Sequence, residues 1–548
     1  MYKQHPNAKY VGLHQKLNER LKSNFQKIRL QKKLKKQAKK IGENLRRKTL
    51  KGGVEERNKM TTELHNMLGG KGNYPKLVMT HDMARIVQYL LKFGSAEIRK
   101  DIAKELIPIM PDMFQSKYAK FCVKRMLKYG DTETRSNIVK AFYGNAVKYA
   151  SHAVSSAIFD FAYTWASALQ RQHLVQEFFG DMYKQSKEDG VKHLKDVYAN
   201  SPDMKTAALG ATKANLQRIV NKQLLDSHLV QTVVMQFMQE CSAEDRAELI
   251  SQLASHVVVL SNSKEGARAA MMCIWHGTNK DRKISLKALK EHVIALSKHE
   301  HGHCTIITLI DCADDTILVN KMLLSEIINQ SLDLAADEWG RKVLFWLVAP
   351  AVQAHFHPTF VNEINQGREK SSCKKESDVR RKEILNHVHD PLLKKLSEDP
   401  DKWMASSSIA LLTLAILKAG NSKELENTFK GIAQRIVDLK WTVKDGENDV
   451  FGIEHAGIHL MLKKLVQHDK TAKENDRPEF GAAVVEVLND KIVKKWITLN
   501  RGCFIFVFIF ECNSDDVQNK LKNLLNSHVK LIEKQNSTGA KLLLKKLN

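Results

Sequence analysis

The sequence has few of the residues that interrupt helices. Only 10 of its 548 residues are proline and 26 are glycine, which is sparse for a mainly β or a disordered chain. Leu, Ala, Lys and Glu fill long stretches without breakers, and these residues favour helices. We therefore expect an all-α fold. The chain is longer than one compact domain, and 43% hydrophobic residues supply ample core material.

Patterns that would mark other protein classes are missing. The eight cysteines form no Cys-x-x-Cys pair, which suggests free thiols in the cytosol or the nucleus. The N-terminus is polar and basic rather than an apolar signal segment. The longest apolar run, Cys503 to Phe510, falls far short of the roughly 18 residues of a membrane span. We expect a buried helix there and no membrane partner.

Motifs of catalysis and cofactor binding are also missing. No GxGxxG, Walker-type loop or GxSxG elbow occurs, so we expect neither an enzyme nor a bound cofactor. Two polar clusters invite a different interpretation: Asp311, Asp314 and Asp315, and His299, His301, His303 and Cys304. We interpret the acids as loop and capping residues. The second cluster has no further ligand pair at a finger-like spacing, so we expect surface or capping histidines and no metal site.

Acidic residues are too few to balance the basic ones. The net charge is +26 with a pI near 9.5, which argues for a polyanionic partner. Residues 1–60 alone carry +15, and the other 488 residues carry +11. The basic segment is either a solubilising tail or a nucleic-acid contact with a nuclear address, and we favour the second interpretation.

We assign residues 1–50 to this basic, partly disordered segment, helical when bound and mobile when free. A thin apolar stripe could form on its helix from Phe25, Ile28, Leu30, Leu34 and Ile41. Its candidate RNA contacts are six lysines: Lys32, Lys33, Lys35, Lys36, Lys39 and Lys40.

A five-residue phrase recurs along the chain. Strong copies begin at Ala84, Lys120 and Ser156, each 36 residues after the last, and weaker copies begin at Thr232, Ala267, His303 and Arg341. The first two end in Gly94 and Gly130, which we expect in left-handed conformation just past a helix. A period near 36 predicts helical repeats stacked into a solenoid. Chance similarity among amphipathic helices is the alternative.

The 76-residue gap before Thr232 predicts an extra helical segment or insertion near residues 170–225. We place the repeat region at residues 51–370. Residues 371–548 form a C-terminal region with degenerate repeats, in which the polar stretches at 445–449 and 469–477 are expected to be loops between apolar helices. The stretch Gly367 to Asp378 is expected to be a loop.

The phrases resemble the second helix of Pumilio (PUF) repeats, whose first, second and fifth residues face RNA so that each repeat reads one base. Five further stretches narrow the resemblance to the Puf-A/Penguin branch, whose C-terminal part is called the CPL domain: His276 to Lys283, Asp314 to Thr316, Gly340 to Leu344, Val379 to Glu383 and Glu454 to Gly457. The resemblance runs from about residue 55 to the end. It implies an L-shaped α-solenoid of about eleven Pumilio-like repeats.

The base-reading code is largely lost in this chain. Met271, Ile307 and Phe345 stand at fifth positions and cannot pair with a base edge. The candidate RNA contacts in the repeats are Arg85, Gln88, Lys120, Phe121, Lys124, Ser156, Asp160, Arg268, Arg341 and Lys342. Because most of these are cations, we predict phosphate-dominated, shape-tolerant binding. The alternative is that they are ordinary solvated helix residues.

The resemblance implies a nucleolar protein that binds RNA or DNA with little sequence preference, in ribosome biogenesis and translational control. We expect a nuclear, nucleolar scaffold for pre-ribosomal RNA, with pre-ribosomal proteins as further partners. One alternative is a translational regulator that binds messenger RNA. Another is a protein-interaction solenoid without a nucleic-acid role. The oligomeric state stays open.

Overall fold

The computed structural model describes residues 32–69, 72–472 and 474–547, and these are mostly helical. The all-α expectation is confirmed. The chain divides into two compact units, of which the first ends at Cys241 and the second begins at Ser242. No helix within the described ranges is long and apolar enough to cross a membrane. The sequence-based expectations for residues 1–31 lie outside the described residues.

The first unit contains a helix over residues 32–45. It is followed by the helices Gly53–Leu68, Tyr74–Val78, His81–Phe93, Ala96–Leu106, Met110–Gln115, Lys120–Tyr129, Thr132–Lys140, Ala146–Ala150, Ser156–Trp165, Ala168–Gln176, Met182–Gln185, Met204–Val220 and His228–Glu240, with 3-10 turns at Ile107–Ile109 and Leu194–Tyr198. The long gap in the repeat spacing contains the 17-residue helix Met204–Val220 in addition to shorter helices, in agreement with the expected extra helical segment.

The second unit is built in the same way. Its α-helices are Ala243–Leu253, Val257–Leu260, Lys264–His276, Asn279–Leu289, Val293–Ser297, Gly302–Cys312, Thr316–Val319, Ser325–Asn329, Ser331–Ala336, Glu338–Val348, Pro358–Glu369, Ser377–Glu398, Pro400–Trp403, Ser407–Lys418, Lys423–Ile436, Ala456–His468, Phe480–Val487, Asp490–Ile497, Asn500–Cys512, Asp515–Asn526, Val529–Glu533 and Thr538–Leu547. Its other turns are 3-10 helices at Ala254–His256, Lys290–His292, Gly452–Glu454 and Asp469–Thr471 and a π-helix at Asn320–Leu324.

A repeat consists of an outer helix, a short connecting helix and an inner helix. Ala243–Leu253, Val257–Leu260 and Lys264–His276 show the order. The inner helices pack side by side in one row within each unit. Among the described residues there are eleven: His81–Phe93, Lys120–Tyr129, Ser156–Trp165 and His228–Glu240 in the first unit, and Lys264–His276, Gly302–Cys312, Glu338–Val348, Ser407–Lys418, Ala456–His468, Asn500–Cys512 and Thr538–Leu547 in the second.

Each inner helix has one apolar face that its neighbours cover. In Lys120–Tyr129 the side chains of Cys122, Val123, Met126 and Leu127 are buried. Their spacing places them on one side of a helix, and burial of each contributes about 1.5–3 kcal/mol. The same logic accounts for the apolar run near residue 505, which lies in helix Asn500–Cys512 with only its phenylalanines at 504, 508 and 510 partly exposed.

The inner helices end differently from the expectation. Gly94 and Gly130 have φ of −65° and −73° and are extended rather than left-handed. Ala166, Cys241 and Ala313 end other inner helices in a similar extended conformation, so this ending does not need glycine. The ending at Cys241 also corrects one register, because it makes Gln231 rather than Thr232 the first residue of the fourth phrase.

A repeated junction follows four of the inner helices, those that end at Gly94, Gly130, Ala166 and Gly277. The next residue caps the outer helix: Ser95, Asp131, Ser167 and Thr278 each accept a hydrogen bond from the backbone N–H three residues on. Four residues after the cap, an arginine donates to the last carbonyls of the preceding inner helix. These arginines are Arg99, Arg135, Arg171 and Arg282. Cations stabilise helix C-termini in this way, so the junction fixes each inner helix on the following outer helix.

One polar stretch is not a loop. Residues Thr442–Asp445 and Asn448–Phe451 form a two-stranded antiparallel hairpin, in which Asp445 pairs with Asn448. Gly446 opens the two-residue turn with φ +63°, a conformation that suits glycine. The stretch from Gly367 also differs from the expectation, because Gly367 is a buried residue of helix Pro358–Glu369.

The junction arginines predict a graded loss of stability. Arg282 is 3% exposed and donates to the carbonyls of Ile274 and Gly277 at 3.0 and 2.8 Å. We expect Arg282→Met to lower the free energy of unfolding by about 3 kcal/mol, because it leaves buried acceptors unpaired. Lys283→Met, at the exposed neighbouring position, should cost less than about 0.5 kcal/mol. Urea unfolding of both variants tests this, and equal losses would contradict the role assigned to the junction.

Candidate nucleic-acid interface

The second positions of the phrases lie on one open face of the first unit. Arg85, Phe121 and Ala157 belong to three adjacent inner helices, and all three side chains are exposed. Phe121 is 49% exposed, which is unusual for a large apolar side chain. The two residues after each of them are buried, so these side chains project away from the core.

Two lysines lie among aromatic rings on this face. Lys120 and Lys124 are one helical turn apart. The Lys120 Nζ lies 5.5 Å from the centroid of the Phe121 ring, and the Lys124 Nζ lies 4.7 Å from the centroid of Phe161. A cation over a ring keeps its charge available to solvent while the ring restrains it. We call Arg85, Lys120, Phe121, Lys124 and Phe161 the cationic–aromatic face.

More aromatic rings surround this face than the sequence analysis named. Tyr118 and Trp165 are 40% and 38% exposed, and Phe161 is half-buried. The Tyr118 ring makes an edge contact with His81 at 5.4 Å between centroids, and the Arg135 guanidinium lies 4.7 Å from the Trp165 centroid. The sequence contained a signal for these rings, because Phe161 and Trp165 are four residues apart and lie off the buried face of their helix.

The basic helix over residues 32–45 lies beside this face. Ala38 and Leu45 are buried, and the backbone at Gly42 comes so close to the first inner helix that a Cβ would lie 3.2 Å from Ile86. The six candidate lysines are all exposed. The sequence predicts a segment that is mobile when free, whereas the structure packs residues 32–45 on the repeat.

One of these lysines joins the segment to the first inner helix. Lys39 forms an ion pair with Asp82, and this hydrogen bond lowers the pKa of the Asp82 carboxyl below its usual range. Between the two helices lies a shallow pocket of about 220 Å³ that Arg46, Arg85 and Tyr89 help to line. The structure thus brings cations of the N-terminal segment and of the first repeat together.

Two of the candidate residues do not belong to the open face. Ser156 is only 7% exposed. The Asp160 carboxylate accepts a hydrogen bond from the His228 backbone N–H at 2.7 Å and lies 3.2 Å from its Nδ1. Asp160 therefore holds the start of helix His228–Glu240. Gln88 is half-buried on the first inner helix and keeps the place that the phrase predicts.

In the second unit the side chains at the corresponding positions contact other residues of the chain. The Arg268 Nε lies 3.0 Å from an oxygen of Glu363. Arg341 donates to the Ala335 carbonyl at 2.7 Å, and the Lys342 Nζ lies 4.2 Å from the Trp339 ring centroid. These three cations belong to the row of inner helices, as the phrases predict, but two of them hold other parts of the chain.

Helix Pro358–Glu369 explains this difference between the units. It packs on inner helices Lys264–His276 and Gly302–Cys312. Glu363 reaches Arg268, the Phe360 ring lies 6.3 Å from His303, and Gly367 lies so close to Trp275 that a Cβ would meet the ring at 2.1 Å. Phrase positions in these two repeats are therefore buried or, like the 43% exposed Arg268, in contact with this helix. In the first unit Arg85, Phe121 and Lys124 are exposed.

The histidine cluster belongs to the same packed region. The His299 Nδ1 accepts hydrogen bonds from the backbone N–H groups of His301 and Gly302, and so it caps a turn as the sequence predicts. His303 stacks on Trp339, and burial lowers the pKa of its imidazole to about 4. Within the described residues, no group of His, Cys, Asp or Glu side chains has the arrangement of a metal site.

The three acids near residue 312 divide between capping and ion pairing. Asp315 accepts a hydrogen bond from the Leu318 N–H and caps a helix, as expected. Asp311 instead lies within the last turn of helix Gly302–Cys312, where it is buried and pairs with Arg368 at 2.7 Å.

Two family models match the chain. The Pumilio-family RNA binding repeat matches residues 85–107 and 292–328, and the CPL (NUC119) domain matches residues 336–478. Pumilio homolog 3 of Rattus norvegicus is 32% identical over 93% of this chain and 79% of its own length. Protein penguin of Drosophila melanogaster is 30% identical over 94% of this chain and 81% of its own.

The chain belongs to the Puf-A and Penguin branch of the Pumilio family. The crystal structure of human Puf-A superimposes with a TM-score of 0.84 at 31% identity, covering 94% of this chain and 100% of that one. Human Puf-A in complex with DNA gives 0.83 at 30% identity, covering 94% and 99%. These relatives are Pumilio repeat proteins rather than members of an enzyme family, and the chain shares their fold. Proteins of this class bind nucleic acids.

Matched substitutions at an exposed position of the first unit and at a contacted position of the second unit should affect RNA affinity differently. Lys124→Gln should weaken binding of a single-stranded RNA at least about threefold, because it removes a cation from the open face. Arg268→Gln should change the affinity less than about twofold, because Glu363 already pairs with that guanidinium. Fluorescence anisotropy with labelled poly(U) measures both. A larger loss in Arg268→Gln would show that the covered positions bind RNA.

Proposed function

We propose that this protein binds single-stranded RNA with little sequence preference, and that it acts in the nucleolus on pre-ribosomal RNA. The observation that carries the first part is the composition of the cationic–aromatic face. It offers Arg85, Lys120 and Lys124 to phosphates and Phe121 to a base. Phosphate contacts hold any sequence alike, and specificity needs contacts to base edges.

Few side chains on this face can read a base edge. The first and fifth positions of the three strongest phrases are Ala84 with Gln88, Lys120 with Lys124, and Ser156 with Asp160. Ala84 is buried and apolar, and Asp160 caps a helix. Gln88 is the one polar amide among them, and it has no polar partner at the first position for a paired contact.

Stacking on Phe121 adds affinity without adding sequence preference. A base on an aromatic ring contributes about 1–3 kcal/mol, and every base offers a flat surface. A human relative has a crystal structure in complex with DNA, which supports a surface that accepts more than one kind of nucleic acid. Binding through phosphates and stacking does not depend on the ribose 2′-hydroxyl, and we propose DNA as a further ligand of this chain.

The nucleolar role rests on charge and family. The basic N-terminal segment would supply the nuclear address and extra contacts to RNA, because residues 1–60 carry +15. Pre-ribosomal RNA offers long single-stranded segments that a shape-tolerant surface accepts. Pre-ribosomal proteins would bind elsewhere on the solenoid, whose row of helices provides a long surface.

Crosslinking RNA in living cells and mapping the bound sequences tests this role. We expect the reads to lie on pre-ribosomal RNA and the tagged protein to concentrate in the nucleolus. Reads concentrated on messenger 3′ regions would replace the proposal with translational control. An absence of reads would favour a solenoid that binds only proteins.

Binding in solution should show the mode of recognition. We expect the affinity for several unrelated single-stranded RNAs to agree within about threefold and to fall steeply between low and moderate salt, because counterions are released from phosphates. Phe121→Ala should weaken all of them roughly fivefold or more, whereas Leu169→Ala, at an exposed apolar residue outside the face, should not. A flat salt dependence or a strong preference for one short sequence would refute the proposed mode.

A further inference from the structure

A cavity in the second unit has no part in the nucleic-acid interface. It has a volume of about 160 Å³ and lies where the last turns of helices Gly302–Cys312 and Glu338–Val348 meet the first half of helix Ser377–Glu398. The cavity is partly enclosed and most of its wall is apolar, with Ile310, Trp346, Leu347, Ile384 and Leu385 among the lining residues. An apolar cavity of about 150 Å³ accepts a benzene molecule, so this one has room for one phenylalanine ring or leucine side chain.

Cations lie along one side of this cavity. Arg380, Arg381 and Lys382 are consecutive residues that all line it. Arg380 is 1% exposed, and its Nη1 donates to the Asp311 carbonyl at 2.5 Å while its Nη2 donates to the Lys375 carbonyl at 2.7 Å. The Nε–H groups of Arg380 and Arg381 are buried and have no hydrogen-bond acceptor among the described residues.

The carboxylates in this region do not neutralise all of the positive charge. Asp311 is 3% exposed and pairs with Arg368 at 2.7 Å, and Asp314 pairs with Arg380 at 3.2 Å. Lys375 and Glu383 pair with each other at 2.6 Å. Arg381 lies 3.8 Å from Asp311, which is already paired with Arg368, and 4.0 Å from the fully exposed Asp378. Lys382 is exposed. The rim of the cavity therefore keeps an excess of positive charge, at Arg381 and Lys382, beside its apolar wall.

We propose that this cavity binds an acidic segment of a partner protein, which inserts one phenylalanine or leucine side chain and places a flanking carboxylate against Arg381 and Lys382. A side chain held in a desolvated pocket and surrounded by charge pairs is the usual anchor of a protein interface. A nucleobase fits less well, because the apolar wall would leave its hydrogen-bonding edges unpaired.

Three labelled peptides and the full chain test this binding. The first peptide carries one phenylalanine between two glutamates, the second replaces the phenylalanine with serine, and the third replaces the glutamates with glutamines. We expect the first to bind at least about tenfold more tightly than the second, because the ring is the anchor. The third should bind at least about threefold more weakly than the first, because it lacks the negative charge that contacts Arg381 and Lys382.

Two variants and a matched control locate the peptide. Leu385→Trp fills the cavity from a half-buried wall position and should weaken the first peptide at least about tenfold. Lys382→Gln removes an exposed rim charge and should weaken it about threefold. Lys395→Gln removes a partly exposed lysine of the same helix that lies outside the cavity, and it should leave the affinity unchanged. Lys382→Gln keeps the test valid if the tryptophan disturbs the fold.

Several results would overturn the proposal. One is equal binding of the three peptides or no binding of the first. Another is an equal loss of affinity in Lys382→Gln and Lys395→Gln. Displacement of the first peptide by poly(U) RNA, with Lys382→Gln weakening RNA binding as well, would assign the cavity to a nucleic-acid surface. The outcome is separate from the proposed RNA role, because Lys124→Gln on the first unit should not change peptide affinity.

Discussion

The side-by-side packing of the inner helices is the constraint on which the structure depends. No inner helix can bury its apolar face alone, so Cys122, Val123, Met126 and Leu127 need a neighbour on each side. The junction after each of several inner helices fixes the register of this packing, because its arginine binds the carbonyls that end the helix. The residues on the exposed face of the inner helices do not take part in this packing, so they can vary without loss of the fold. In this chain they include the cations and aromatic rings of the cationic–aromatic face.

The same frame serves two purposes in the two units. In the first, the exposed positions form an open surface of cations and rings, beside a basic helix that packs on the first repeat. In the second, helix Pro358–Glu369 covers equivalent positions and Glu363 engages Arg268. The second unit also carries the apolar cavity next to Arg381, away from these positions. The proposed shape-tolerant binding would then arise, within a family that reads RNA base by base, from the substitution and covering of a few side chains.

Much of the fold could be predicted from the sequence. The period near 36 residues follows from local packing, and it located the inner helices correctly from Ala84 to Arg341. The register at Thr232 was wrong by one residue because residues 229–231 and 233–238 of that helix are all buried, so apolarity alone does not mark where the phrase begins. The junction was a stronger signal, visible in Gly94 to Arg99 and Gly277 to Arg282. Covering of Arg268 could not be predicted, because it depends on Glu363, 95 residues away. The hairpin had a sequence signal in Gly446, because glycine suits the first of two turn residues, and the loop interpretation did not use it.

The division between an open and a covered face is the central claim, and mapping of bound RNA on the protein tests it most directly. Ultraviolet crosslinking of the full chain to single-stranded RNA, followed by mass spectrometry of the crosslinked peptides, locates the contacts without altering any residue. We expect crosslinks in the inner helices that contain Arg85, Phe121 and Phe161 and in the basic helix over residues 32–45. Crosslinks concentrated on Arg268, Cys304 or Lys342 instead would contradict it.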